Sequence, residues 1–308
     1  MSNTVFDERF WLDAGDKSAI MGLASALEAR AHSGQAMQKS QLQHANLANL
    51  NLVKTGSREG YDFSDSDLYR ANLQGAHLFA INLRGASLMK ADLRFANLHC
   101  ADLRDCNLLG VQLEGSRLDN IVWDKQLIQE RRGYDLLRKG ETHKAQQSFQ
   151  EAEETYRNLR LHLEKAGLFE EAGQFFLREM VMRRKQMPRF SGRRLISRLV
   201  DLFSGYGENP LRVVLFSIGL IGLCGLLFFL IGLHHAGEIF GLNLQHSIGQ
   251  NLTHLGNCIY FSVVTFTTLG YGDISPVGWA RPLAAFEAFS GSFTMALFVV
   301  VFVKKMTR

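Results

Sequence analysis

A chain of 308 residues with a formal net charge of +4 and 46% hydrophobic residues has room for two or three domains and is too apolar to be disordered throughout. Its four cysteines, Cys100, Cys106, Cys224 and Cys258, form no CxxC pair and no metal-ligand spacing with histidine. A disulfide scaffold and a zinc module are therefore excluded, and free thiols in a reducing compartment are expected. No phosphate loop, dinucleotide fingerprint or nucleophile–base motif is present, so neither an enzyme nor an organic cofactor is expected.

Residues 1–39 read as an N-terminal helical segment. Its first eleven residues hold Asp7, Glu8 and Arg9 and no apolar run, so no cleavable signal is expected and the first 200 residues belong in the cytosol. From residue 40 to 123 the chain repeats every five residues, with centres at Leu42, Leu47 and Leu52 and then from Phe63 through Leu68, Leu88 and Leu108 to Trp123. A small residue stands two places before many centres (Ala71, Ala91, Ala101) and Asp or Asn one place before (Asp67, Asn72, Asp92, Asn97). The eleven-residue step from Leu52 to Phe63 predicts a loop at 54–60. Neither helix nor flat strand has this period, so the chain must turn a corner at each unit.

The unit resembles that of the pentapeptide-repeat family, which implies a right-handed square β-helix with four units per turn. Central leucines and alanines would fill a core one side chain wide, where anything larger overpacks. Nine acidic residues stand against eight basic ones in 40–123, so the acidic DNA mimicry of some family members is not expected. The segment reads as a rigid spacer or assembly module.

Residues 124–190 change to a helical period. Gly133, Ala145, Phe149 and Ala152 match the spacing of a tetratricopeptide-like hairpin, partly repeated at Ala172 and Phe176. A helical-hairpin linker is expected, either a plain connector or a site for a cytosolic protein or ligand. Residues 191–209 follow as an amphipathic interfacial helix and elbow. Leu195, Ile196, Leu199, Val200, Leu202 and Phe203 fall on one face, and Arg194, Ser197, Arg198 and Asp201 on the other. With Arg193, Arg194 and Arg198, this helix is expected to bind anionic lipid at the inner membrane face. Asn209-Pro210 reads as the cap and first residue of the next helix.

Residues 210–308 form the last domain. Segment 213–233 has no charge and 282–303 has only Glu287, and each is long enough to cross a bilayer at ~1.5 Å per residue. Arg183, Arg184, Lys185, Arg189, Arg193, Arg194, Arg198 and Arg212 precede the first span, Lys304, Lys305 and Arg308 follow the second, and no Lys or Arg lies between 213 and 280. Both termini are therefore expected to be cytoplasmic in a multi-pass protein of the cell (inner) membrane. The positive charge belongs to this cluster and not to a nucleic-acid surface. His234 and His235 read as interfacial polar residues where the first span ends.

Between the spans lies Thr267-Thr268-Leu269-Gly270-Tyr271-Gly272-Asp273, preceded by a short apolar stretch, 258–267, that reads as a re-entrant pore helix. Alternate glycines permit positive φ, which lets successive carbonyls face one axis. This arrangement resembles the two-transmembrane potassium channels over about residues 211–306, with Tyr260-Phe261 at the head of the pore helix, Pro276 after the filter, and Leu269 where valine is commonest. The resemblance implies a homotetramer that binds K+ at Thr268, Leu269, Gly270 and Tyr271, with Gly272 completing the filter. It further implies support from Thr267 and Asp273, a hinge at Gly291, and a slide-helix role for the amphipathic segment. A hydrophobic gate is expected at Phe298 and Phe302. Glu287 is expected either to hydrogen-bond the pore-helix threonines or to act on conductance directly. The whole reads as a multidomain chain: square β-helix, helical hairpin, and an all-α two-transmembrane pore domain. Two alternatives stand beside it, a membrane-anchored scaffold with a non-conducting pore and a weakly selective cation channel.

Overall fold

The computed structural model describes residues 6–235 and 237–306. Arg308, which entered the charge count above, and residues 1–5 of the leader reading lie outside the described residues. The chain forms two compact units that divide between Ser191 and Gly192.

In the first unit the five-residue period becomes a coil of parallel bridges. Asn82 pairs with Asp102, Ser87 with Asn107 and Asn97 with Arg117, a register of twenty residues, or four units per turn. Earlier bridges, Gln41 to Asp67 and Asn46 to Asn72, are offset by 26 because the 54–60 loop adds six residues to that turn. Most corners are β-turns closed by a bond such as Ala71 N–H to Leu68 O at 3.0 Å, with the third residue left-handed (Arg70 φ 54°, Lys90 φ 57°, Gly110 φ 70°). The Asp or Asn before each centre has a physical reason. Its carboxyl or amide oxygen accepts the N–H of the residue after the centre, as Asp67 does from Tyr69 (3.0 Å), Asn82 from Arg84 (3.1 Å) and Asp102 from Arg104 (3.0 Å). Leu88, Ala91, Leu93 and Ala101 are each 0% exposed.

Helices close both ends of this core. At the start, α1 (Glu8–Leu12) and α2 (Leu23–His32) place Trp11, Leu23 and Leu27 against the first coil. Gln41 N–H donates to Trp11 O at 2.7 Å, and the Arg30 guanidinium pairs with Glu8 at 2.6 Å. At the other end stand α3 (Ile128–Arg138), α4 (Thr142–Lys165) and α5 (Phe169–Gln186), three helices where a hairpin was expected. The third helix follows from Gly167 (φ 78°), which stops α4 and lets the chain reverse so that α5 packs along it. Gly133 is required where it stands, since a Cβ there would lie 2.6 Å from the Phe149 ring. Trp123 meets Phe175 edge-on at 5.3 Å, and Asn158 donates to Val111 O at 2.7 Å, so these helices are seated on the last coil. The buried Glu130 is matched by Tyr156, whose hydroxyl donates at 2.5 Å, and by Arg178 at 3.2 Å.

The second unit runs α6 (Gly192–Ser204), α7 (Pro210–Ile231), β1 (Leu233–His235), β2 (Glu238–Phe240), α8 (Ile248–Phe266), β3 (Ser275–Pro276) and α9 (Ala280–Met306). α7 begins as its sequence dictates: Asn209 accepts the N–H of Arg212, and Pro210 takes the first position. Among the described residues, α7 and α9 are the two helices long and apolar enough to cross a membrane. α8 packs against both. The three short strands form one antiparallel sheet in the order β2-β1-β3, with Leu233 opposite Pro276 and His234 opposite Ser275.

Candidate ion-conduction site

α8 starts at a capping box in which Ser247 and Gln250 satisfy each other's backbone N–H groups. It is therefore 19 residues long, not the ten of the apolar stretch at 258–267, and Tyr260 and Phe261 lie in its second half instead of at its head. The added half, which includes Gln250, Asn251, Thr253 and His254, is polar, so apolar patterning does not reveal it.

The helix ends where the predicted filter begins, and the termination is specific. Thr268 N–H bonds Thr265 O and Leu269 N–H bonds Val264 O, each at 3.0 Å, with Thr268 left-handed at φ 59°. This is a Schellman cap. A β-branched residue in that conformation is strained, which occurs at functional sites held by their surroundings. Gly270 (φ 59°) and Gly272 (φ 80°) repeat the left-handed state, while Leu269 and Tyr271 between them do not. A backbone whose handedness alternates in this way turns successive carbonyls toward one side. Leu269 and Tyr271 are 60% and 66% exposed in the single subunit. Thr267 Oγ1 donates back to Val263 O at 2.7 Å, and Thr268 Oγ1 to Thr267 O at 2.7 Å.

Beyond the glycines, Asp273 O accepts from His235 Nδ1 at 2.8 Å, and the Asp273 carboxyl lies beside the Tyr260 hydroxyl. The segment is thus held by β1 on one side and α8 on the other. On α9, Glu287 is 0% exposed and its Oε1 is bonded to Ser262 Oγ. The pore-helix partner is this serine and not a threonine, because Thr267 and Thr268 bond locally around the cap. α9 runs unbroken through Gly291, where a Cβ would meet Phe266 O at 2.0 Å. Phe298 and Phe302 stack on each other with centroids 5.6 Å apart. On α6, Arg193 and Arg198 are exposed and Arg194 is partly buried.

The ion-channel family described as "Ion channel" matches residues 231–308, and the family described as "Pentapeptide repeats (8 copies)" matches 59–85 and 86–122. The chain joins a pore-loop ion-channel domain to a pentapeptide-repeat domain. The chain is 33% identical over 99 residues to "Two pore potassium channel b" of Oryza sativa subsp. japonica, a match covering 32% of this chain and 25% of that one. It is 35% identical over 66 residues to "Protein LctB" of Geobacillus stearothermophilus, covering 21% and 47%. The chain thus spans between a quarter and a half of the length of these relatives. For the repeat domain, solved relatives include a pentapeptide repeat protein (Rfr23) from the cyanobacterium Cyanothece 51142, 38% identical over 27% of this chain and 49% of that chain with a TM-score of 0.17. Another is alr5209 from Nostoc PCC 7120, 27% identical over 32% and 94%, with a TM-score of 0.18.

Four contacts of the second unit escape sequence reasoning: Ser262 with Glu287, His235 with Asp273, Tyr260 with Asp273, and the ion pair between Lys304 and Glu208. Ser262 leaves a trace, since it is the polar residue among the apolar ones preceding Thr265. The other three join different segments of the unit, and no periodicity marks them.

Proposed function

We propose that the chain is one subunit of a homotetrameric potassium channel that conducts K+ passively through Thr268, Leu269, Gly270, Tyr271 and Gly272. The observation that carries this reading is the alternation of left-handed residues at 268, 270 and 272, directly after the α8 cap and between two helices of membrane-spanning length. Four such segments around one axis would exchange a potassium ion's hydration shell for backbone carbonyls. The C-terminal end of α8, carrying roughly half a negative charge of helix dipole, favours a cation at the inner end of that column. Leu269 contributes only its carbonyl, so its departure from valine leaves the ion's surroundings unchanged.

In this reading α7 and α9 span the cell membrane with both termini cytoplasmic, which the basic residues flanking them support. α6 lies in the inner interface. Leu195, Ile196, Leu199 and Leu202, each more than half exposed, face the acyl chains, and Arg193, Arg194 and Arg198 face anionic headgroups at ~1 kcal/mol per basic residue. Thr267 and Asp273 brace the filter, and Phe298 and Phe302 form the hydrophobic gate. Gly291 is the hinge, and bending there would part α9 from the end of α8. The pentapeptide-repeat and helical domains serve assembly or gating from the cytosolic side.

The deciding experiment is ion flux through the purified chain in liposomes, with K+ compared against Na+. A strong preference for K+ is expected. Equal flux would make this a weakly selective cation channel, and no flux from correctly inserted tetramers would leave a scaffold with a non-conducting pore.

A further inference from the structure

Glu287 is the one acidic residue of α9, and it is fully buried within its own subunit. Its neighbours constrain where protons can sit. Ser262 Oγ lies 2.9 Å from Ile221 O and is also bonded to Glu287 Oε1. A hydroxyl has a single proton, and a backbone carbonyl can only accept. An ionised Glu287 could also only accept, so one of the two contacts would press oxygen against oxygen with no hydrogen between them. Among the described residues no cation relieves such a charge. Residues 213–280 contain no Lys or Arg, and Arg281 lies about 9 Å back along the axis of α9. An isolated buried carboxylate is strongly disfavoured. The second oxygen agrees: Glu287 Oε2 is buried with no nitrogen or hydroxyl donor and only the Cys224 thiol beside the carboxyl, which a neutral acid's carbonyl oxygen tolerates far better than half of a carboxylate does. Cys224 of α7 is the other titratable group beside the carboxyl, and a thiol is only a weak donor.

We infer that Glu287 carries its proton in the folded channel, placed on Oε1 and donated to Ser262 Oγ, whose own proton goes to Ile221 O. One directed chain of hydrogen bonds then links α9, α8 and α7. Ser262 stands four residues before the end of α8, so the chain fixes the rotation of the helix from which the 267–273 segment is suspended. Glu287 is a positioning residue, and this consequence rests on the channel reading above.

Infrared spectra of the full-length protein in lipid vesicles at neutral pH test the inference. The carbonyl band of a neutral carboxylic acid is expected, lost in Glu287→Gln and moved to higher frequency in Ser262→Ala, where the acid loses its acceptor. Glu287→Gln retains an N–H for Ser262, so its potassium selectivity should stay within about twofold of wild type, while Glu287→Leu should lose selectivity. Loss of an ionised-carboxylate band in Glu287→Gln, or equal damage from Gln and Leu, overturns the inference. Should the Gln variant fail to assemble, an acid band that Ser262→Ala leaves unmoved overturns it instead. The band is read without any current, so a channel that fails to conduct K+ would refute the function and leave this assignment standing.

Discussion

Replacing Gly291 by alanine sets two effects against each other. Alanine favours a helix over glycine by roughly 1 kcal/mol, so if Gly291 were present only for flexibility the variant would be slightly more stable. The structure opposes this with a collision. The new Cβ would lie 2.0 Å from Phe266 O and 2.8 Å from Phe266 C, where ordinary contacts begin at 3.4 Å. The oxygen falls about 1.4 Å short, and it belongs to backbone that cannot rotate aside. Phe266 is the last residue of α8, next to the Schellman cap, so relief must separate the helices or displace Thr268. Overpacking of this kind costs ~1–3 kcal/mol, which outweighs the helical gain. Gly291→Ala is therefore expected to lower the thermal midpoint of the tetramer and to reduce the K+/Na+ flux ratio. Gly219→Ala on α7, with nothing within 4 Å of its Cβ, serves as the control that carries the helical gain alone. A Gly291→Ala tetramer as stable and selective as wild type, altered only in how often it opens, would refute the close-approach reasoning.

Gly270→Ala meets no neighbour but must adopt φ 59°, so K+ flux should be abolished while tetramers still assemble, as flux assays and size-exclusion chromatography would report. Reversing Lys304 to Glu breaks the partly buried pair with Glu208, worth ~1 kcal/mol after solvent screening, and should change open probability a few-fold. Adding Glu208→Lys should restore it, and a double variant no better than the single one would dismiss the pair. Neutralising Arg193, Arg194 and Arg198 together should change open probability in anionic bilayers and leave selectivity untouched, which single-channel recording can check. Burial pushes the Cys106 thiol up to about 12, and the thiolate is the reactive form, so Cys106 should resist alkylation at neutral pH while the partly exposed Cys100 is modified. Equal labelling by mass spectrometry would contradict that environment.

The coil was legible because its period is imposed at every corner: a small residue, an Asp or Asn that accepts an N–H, and a central leucine recur wherever the chain turns. The six residues inserted before Phe63 were legible for the same reason, as a break in that rhythm. The two spans and the 267–273 segment were readable because a bilayer and a carbonyl-lined path each restrict composition sharply. Elements stabilised by polar caps were harder to see. The first half of α8 is defined by the reciprocal bonds of Ser247 and Gln250, which do not alter hydrophobic patterning. Hidden most deeply were pairings between distant positions, such as Leu233 with Pro276 and Ser262 with Glu287, which depend on packing that no local window contains.

The helices at the two ends of the pentapeptide coil bear on how the protein can exist at high local concentration. A parallel coil with a bare last turn offers unpaired N–H and C=O groups and an open leucine core, a template on which another copy can add. In the proposed tetramer, four copies tethered at one pore would bring such ends together at an effective concentration in the millimolar range. Trp11 with α1 and α2 at the first turn, and Trp123 with Leu127 and Phe175 at the last, remove both templates. The same feature predicts what truncation would do: a chain shortened to the repeats alone would tend to stack end to end into fibres.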